Sequence, residues 1–467
     1  MSTAAIAQQA RKHPKGLYIL FFTEMWERFS YYGMRAILVL YLVSQSQAGP
    51  MGGLGWTKLE ALKLYGWYTM LVYLVAIPGG WIADRITGQK KAVMIGGVLL
   101  CIGHGTMAFP GITTFYTALA LIICGVGLLK PNISTLVGSL YAPGDPMRDK
   151  GFTIFYIGIN LGAVFSALVV GTVGELVGWH YGFALAGIGM AFGQVVYIWG
   201  QKYLKTVHAT EGIVGQVSEV TKMTPLTKKE KDRIVVLFIC FLMVIIFWGA
   251  FEQAGGLLNL YALDKTDRVL FGWAIPTSWF QSLNPIFIVV FGTLVANFWY
   301  WYRKIGKETS SIYKMALGTM IMGSGFIFMI FASLQAGVAG KASMIWLVLA
   351  YLFFTIGELC ASPVALSFIT KIAPIKYASL MMGLYFAVTG LGNKIAGLFG
   401  EWAESSGEIT VFGTITILTM IIGVIVIIFL KPLKRLTHGA EEGCLSDEDA
   451  ESVEDNNSPS ELVYDAE

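Results

Sequence analysis

Residues 23–35, Thr23-Glu24-Met25-Trp26-Glu27-Arg28-Phe29-Ser30-Tyr31-Tyr32-Gly33-Met34-Arg35, decide the fold. They place four ionisable side chains inside an otherwise apolar run from Leu17 to Val43. The run is long enough to cross a bilayer as a helix. A charge at mid-bilayer costs roughly 2.5–3.5 kcal/mol on insertion scales, so charges kept there face a wet cavity or a partner and serve ion or substrate chemistry. At helical spacing Glu24, Glu27, Arg28, Tyr31 and Arg35 share one face, with Tyr32 at its margin. Arg28 lies one turn from Glu24, so a self-neutralising pair that only packs helices is the bland alternative.

The rest of the chain has the same character. Of 467 residues, 55% are hydrophobic and only 13% charged, with 54 glycines, which predicts an all-α polytopic membrane protein. From Glu441 onward there are acids but no Lys or Arg, so the net charge of +3 hides a more basic membrane part. The tail reads as disordered and solvated. No basic stripe with stacking aromatics suggests nucleic acid. The segment before Leu17 lacks a cleavable apolar core, so the first helix is expected to direct insertion. The five cysteines lack metal-ligand spacing, and no nucleophile and base constellation points to an enzyme.

Apolar segments near 17–46, 64–83, 92–109, 114–141, 152–175, 181–201, 234–262, 279–302, 312–335, 343–370, 378–402 and 409–430 predict twelve spans. With the N-terminus inside, Lys and Arg should collect in alternate loops. They do. Arg11, Lys12 and Lys15, Arg85, Lys90 and Lys91, Arg148 and Lys150, the run Lys202 to Arg233, Arg303 to Lys314, Lys371 and Lys376, and Lys431 to Arg435 fall inside. Only Lys58, Lys63, Lys265, Arg268 and Lys341 fall outside. Both termini are therefore expected in the cytoplasm. The chain divides into an N-terminal segment (1–16), a six-helix bundle (17–201), a polar linker (202–233), a second six-helix bundle (234–432) and a tail (433–467).

After the second span, Gly80-Trp81-Ile82-Ala83-Asp84-Arg85-Ile86-Thr87-Gly88-Gln89-Lys90-Lys91 resembles the cytoplasmic loop signature of the major facilitator superfamily. That resemblance implies two six-helix halves that rock about a central cavity. In such a fold, span 1 corresponds to span 7 and span 4 to span 10. The buried charges follow this: Glu24, Glu27, Arg28 and Arg35 on span 1, Lys130 on span 4, Glu252 on span 7 and Glu358 on span 10, with Lys394 on span 11 outside the set. At ~1.5 Å of rise per residue, Arg35 and Glu252 share an outer depth, while Lys130 and Glu358 share a deeper one. Two gating pairs are expected, Arg35 with Glu252 and Lys130 with Glu358, closing opposite sides in alternation. Pro131 and Pro363 loosen the helices beside the deeper pair. His104 is expected to be a satisfied packing residue.

Glu24-Met25-Trp26-Glu27-Arg28-Phe29-Ser30-Tyr31-Tyr32-Gly33 matches the ExxERFxYYG signature of the proton-coupled oligopeptide transporters, and Phe155-Tyr156-Ile157-Gly158-Ile159-Asn160-Leu161-Gly162 matches their FYxxINxG signature. By these motifs the chain is identified as a member of that family, within the major facilitator superfamily. The resemblance implies a symporter of the bacterial plasma (inner) membrane that imports di- and tripeptides with protons, no other cofactor and no nucleic-acid partner. It assigns proton coupling to Glu24, Glu27 and Arg28, and Glu252 is expected to join them because its protonation would release the outer pair with Arg35. It assigns peptide contact to Tyr31, Tyr32, Arg35, Tyr73, Lys130, Asn160, Trp248, Asn284, Glu358 and Ser362. Tyr385 stands where relatives often have tryptophan, in a side-chain pocket. Residues 201–233 are too short and polar for the extra helix pair of many bacterial members, and the second span has no histidine, so coupling rests on carboxylates. Alternatives are a small-anion transporter of the same fold and a transporter-like nutrient sensor.

Overall fold

The computed structural model describes residues 13–46, 49–142, 145, 147–204, 226–374 and 377–440. Twelve long helical segments run through them: α1 (Lys15–Val43), α2 (Lys58–Thr87), α3 (Gln89–Met107), α4 (Ile112–Ser139), α5 (147–176), α6 (Trp179–Tyr203), α7 (Lys228–Lys265), α8 (Thr277–Lys304), α9 (Ser311–Ala339), α10 (Ile345–Ile372), α11 (Ala378–Ser406) and α12 (Glu408–Ile428). Among the described residues, nine of these are long and apolar enough to cross a membrane. The other three, α1, α3 and α11, carry charged or polar side chains within their length, as at Glu24, Lys90 and Lys394. The observed ends extend beyond the apolar runs because polar residues can complete a helix at either end. Thus α2 starts at Lys58 and α7 at Lys228, each behind a capping box: Thr57 with Glu60, and Thr227 with Glu230.

The packing repeats with an offset of six helices. α1 lies on α5 and α6, α3 on α4 and α6, and α2 on α4. In the second half, α7 lies on α11, α9 on α10 and α12, and α8 on α10. The halves meet along two seams, α2 with α11 and α5 with α8. This is the parallel repeat inferred from the placement of the buried charges. Glycines set the closeness of approach in the first half. A Cβ at Gly162 of α5 would lie 2.3 Å from the Met25 carbonyl, and one at Gly33 of α1 would lie 2.7 Å from Val170.

Two helices break their regular winding beside the central cavity. α5 contains a π-helical turn at Ser166–Val170, and α7 tightens into a 3-10 turn at Glu252–Gly255 before resuming at Leu257. Such mid-helix departures mark functional bends. A short parallel ladder joins β1 (Thr266–Asp267) to β4 (Ala342–Ser343), and a two-stranded hairpin pairs β2 (Val269–Leu270) with β3 (Trp273–Ala274).

One domain boundary differs from expectation. Residues 433–440, assigned to a disordered tail, are ordered: α13 (Leu430–Leu436) presents Leu430 and Leu433 to the core. Lys434 pairs with Glu308 at 3.0 Å, and Arg233 Nε donates to the Thr437 carbonyl at 3.0 Å. The acidic tail from Glu441, most of the linker (205–225), where no extra helix pair is expected, and Arg11 and Lys12 lie outside the described residues.

Candidate functional site

The stripe on α1 forms a buried triad. Arg28 Nε donates to Glu24 Oε1 at 2.8 Å and stands 2.7 Å from Glu27 Oε2, with all three side chains at most 4% exposed. Among the described residues neither Glu27 oxygen accepts a hydrogen bond, nor does Glu24 Oε2. Two carboxylates thus face one guanidinium. Lys130 on α4 lies within electrostatic reach of all three, and its ammonium rests 3.8 Å over the Tyr73 ring. Tyr31 is buried at 4% and meets Tyr32 edge-on at 5.5 Å. The Arg28 and Arg35 guanidinium groups lie 5.8 and 5.0 Å from the Tyr32 ring centre, so that ring bridges the triad and Arg35.

Next to this cluster is a cavity of about 150 Å³ between the two halves. Tyr32, Arg35, Tyr73 and Asn160 line it from the first half, and Trp248, Glu252, Asn284 and Glu358 from the second. Arg35 Nη1 donates to Glu252 Oε1 at 2.8 Å, so the expected outer pair is formed. The bend in α7 presents that carboxylate. Asn284 Nδ2 donates to Glu358 Oε2 at 2.7 Å and to Thr355 Oγ1 at 3.1 Å. Asn160 donates to the Tyr156 carbonyl at 2.9 Å, so its amide oxygen is not engaged by that bond. Ser362 and Tyr385 lie apart from this cavity. With Trp248 they line a nearly filled apolar pocket of about 10 Å³, beside Met243, Phe247 and Met315.

Lys130 and Glu358 are not paired while the outer pair is formed, an arrangement compatible with closure in alternation: among the described residues Lys130 has no ion-pair partner, and Glu358 is held by Asn284. A gap of about 560 Å³ opens between the halves among Ala76, Trp81, Asp84, Pro131, Thr370 and Phe386. One expectation needs correction: His104 is fully buried, yet among the described residues neither ring nitrogen has a hydrogen-bond partner, and at its Cβ the helix packs against Gly187, which brings no side chain. Lys394, expected outside the charged set, is paired with Glu401 at 3.2 Å and lies over the Trp67 ring at 5.1 Å.

Sequence reasoning missed several groups. Tyr65 Oη donates to Glu252 Oε1 at 2.5 Å, making that oxygen the acceptor of both Tyr65 and Arg35. Tyr156 and Gln281 line the cavity. Tyr156 was visible inside the FYxxINxG match, whereas Tyr65 stands out only through its spacing to Tyr68 and Tyr73 on α2.

The end of the molecule away from Lys15 and Leu436, called distal below, is tied across the halves. Asn259 Nδ2 donates to the Ala36 carbonyl at 2.8 Å, Ser282 Oγ to the Val164 carbonyl at 3.1 Å, and Lys58 pairs with Asp264 at 2.6 Å. The cavity is therefore sealed distally.

Comparison with known proteins agrees with this arrangement. The PTR2 model, described as POT family, matches residues 90–230 and 210–416. A di-/tripeptide transporter of Lactococcus lactis subsp. cremoris is 36% identical, covering 91% of this chain and 96% of the relative. An uncharacterised transporter, YclF, of Bacillus subtilis is also 36% identical over the same shares. A crystal structure of a mutant peptide transporter POT in complex with alafosfalin superposes with a TM-score of 0.82 at 35% identity, covering 93% of this chain and 99% of that one. A POT family transporter in complex with 5-aminolevulinic acid gives 0.80 at 31% identity, covering 90% and 97%. With the sequence motifs, the two packed halves and these likenesses in agreement, the chain belongs to the POT family and is a multi-pass membrane protein of the major facilitator superfamily fold.

Proposed function

We propose that this protein is a symporter that imports di- and tripeptides with protons by alternating access. The observation that carries the reading is the polarity of the central cavity. Glu358 presents a carboxylate from the second half, while Arg35 stands in the wall opposite and Lys130 beside Tyr73. A zwitterionic peptide needs that pair of ends, and charge-assisted hydrogen bonds to each terminus are roughly twice as strong as neutral ones. Its ammonium goes to Glu358 and its carboxylate to the cations. Backbone and termini are then recognised in common, and side chains face the aromatic residues around the cavity, Tyr32, Tyr73, Tyr156 and Trp248. The relatives named as di-/tripeptide transporters support the same reading.

All twelve long helices cross the bacterial plasma membrane in this proposal, with both termini cytoplasmic, and the two bundles move as the rocking units. The distal end is then the outside, and the conformation is closed outward and open inward. The proton is the coupling ion. An ionised carboxylate without hydrogen-bond partners is costly to bury, so Glu27 is a natural proton acceptor. Protonation in the triad frees Arg28 for the peptide carboxylate, and protonation of Glu252 frees Arg35 and Tyr65, releasing the outer closure.

Uptake of a labelled dipeptide into proteoliposomes, driven by an imposed inward proton gradient, tests the function directly: no accumulation above the control without a gradient would refute it. In the same assay Glu24→Gln, Glu27→Gln and Arg28→Gln are each expected to abolish uphill uptake while sparing counterflow exchange. Gradient-driven accumulation retained in all three would refute the assignment of coupling to the triad.

A further inference from the structure

Glu175, near the distal end of α5, is a carboxylate that neither the stripe on α1 nor the central cavity uses. Its two oxygens cross the seam to the first turn of α8. The Thr277 backbone N–H donates to Oε2 at 2.7 Å, and both the Ser278 N–H and the Ser278 Oγ donate to Oε1 at 2.7 Å. A negative charge at a helix start is favoured by the unpaired N–H groups and the helix dipole, and hydrogen bonds to an ionised acceptor are the strong kind. The geometry is prepared from both sides. Gly171, one turn earlier on α5, leaves room for Ser278: a Cβ there would fall 2.0 Å from the Ser278 hydroxyl. Trp279 Nε1 donates to Thr172 Oγ1 at 2.8 Å, so the same segment is gripped twice by α5. Its other flank reaches α1, where Gln281 Nε2 donates to the Ala36 carbonyl at 3.4 Å, one residue from Arg35.

Resting on the transport reading, we propose that Glu175 is a second outer latch: it holds the start of α8 against α5 while the protein faces inward, and it must let go of Thr277 and Ser278 for the outer side to open. The Arg35 and Glu252 pair closes the cavity from α1 to α7. Glu175 closes the seam from α5 to α8, and the Thr277–Ser282 turn joins the two closures. Glu175 is thus a positioning residue for the conformational step rather than a contact for peptide or proton.

The test is the distance between spin labels at Ile112→Cys and Ile345→Cys, exposed positions at the distal starts of α4 and α10. It is measured by pulsed electron resonance on the full chain in liposomes, with native cysteines replaced. In Glu175→Gln the amide keeps only one acceptor oxygen and turns an NH2 toward N–H donors. The long-distance, outward-open fraction is expected to rise at least about threefold over wild type, with thermal melting unchanged. Ser278→Ala, which deletes the hydroxyl bond alone, is expected to give a smaller rise in the same direction. Glu252→Gln supplies the separate arm. If it broadens the distribution while Glu175→Gln and Ser278→Ala leave it as in wild type, the latch is wrong and the transport reading stands. If wild-type liposomes take up no peptide under a proton gradient, the transport reading itself fails. Should Glu175→Gln melt early, Ser278→Ala decides, and an unchanged distribution in it overturns the latch.

Discussion

At the scale of single residues, the chemistry rests on Glu358 and Lys130 having no partner in each other. Each is held by a weaker neighbour, the Asn284 amide and the Tyr73 ring, and a bound zwitterion offers both a full opposite charge. Removing one partner of a buried charged pair costs roughly 2–5 kcal/mol, or about 30-fold to several-thousand-fold in affinity. Glu358→Gln is expected to weaken an ordinary dipeptide by that much but its N-acetylated form far less, and Lys130→Ala to show the mirror pattern with a C-terminally amidated form. Equilibrium competition among the three forms in detergent checks this, and equal weakening of free and acetylated peptide would remove Glu358 from the amino-terminal site. The cavity residues were legible because buried charges are rare enough for position alone to single them out: Arg35 and Glu252 meet as their matched depth implied. Lys130 and Glu358 stand unpaired while the outer pair is formed, and which of the two pairs is closed was not legible, because depth along a helix says where two groups lie but not how far the halves stand apart. Glu175 was illegible for another reason. Near the end of a span, a lone acid in Gly171-Thr172-Val173-Gly174-Glu175 reads as an ordinary interfacial charge until the start of α8 is seen against it.

At the scale of elements, the bend in α7 is what turns Glu252 into a shared acceptor. The 3-10 turn at Glu252–Gly255 places Gly255 so close to α2 that a Cβ would fall 1.9 Å from the Tyr65 hydroxyl. Gly255→Ala is therefore expected to drive Tyr65 off Glu252 and to cost about 1–3 kcal/mol as overpacking. Adding Tyr65→Phe, which deletes the obstructing hydroxyl, is expected to recover part of the loss. Melting of the single and double variants in detergent checks the coupling, and strictly additive losses would show that the contact is not what Gly255 protects. The sequence announced the helices but not their irregularities. Apolar length identifies a span, and the Thr57-Lys58-Leu59-Glu60 and Thr227-Lys228-Lys229-Glu230 pattern marks two helix starts. A tightened turn in α7 or a widened one in α5, by contrast, is set by packing between elements.

At the scale of the whole molecule, closure is distributed over several contacts between the halves, and the one between Arg35 and Glu252 is buried among them. Removing either charge, as in Arg35→Ala or Glu252→Gln, is expected to shift the population toward outward-open. A reporter lies at the distal tips, where Lys58 and Asp264 pair across the halves. Cysteines placed at those two positions should crosslink readily in an otherwise unaltered chain and several-fold more slowly with Arg35→Ala added. Equal rates would contradict the gate. The two-bundle architecture, by comparison, followed from the alternation of basic loops and the sixfold offset of the charged helices, since a membrane permits few ways to bury either.

The charges around the cavity also fix how voltage acts. Glu24, Glu27, Glu252 and Glu358 outnumber Arg28, Arg35 and Lys130 by one, so at formal charge the empty centre is a single negative site, and one proton makes it neutral. A zwitterionic peptide adds no net charge. The loaded, protonated carrier therefore crosses the field nearly unforced, whereas the empty carrier moves an anionic centre. At about 2.3 kcal/mol per elementary charge per 100 mV for a full crossing, an inside-negative potential pushes that centre outward. Electrical energy then enters the cycle on the return stroke, resetting the carrier toward the side from which peptide arrives.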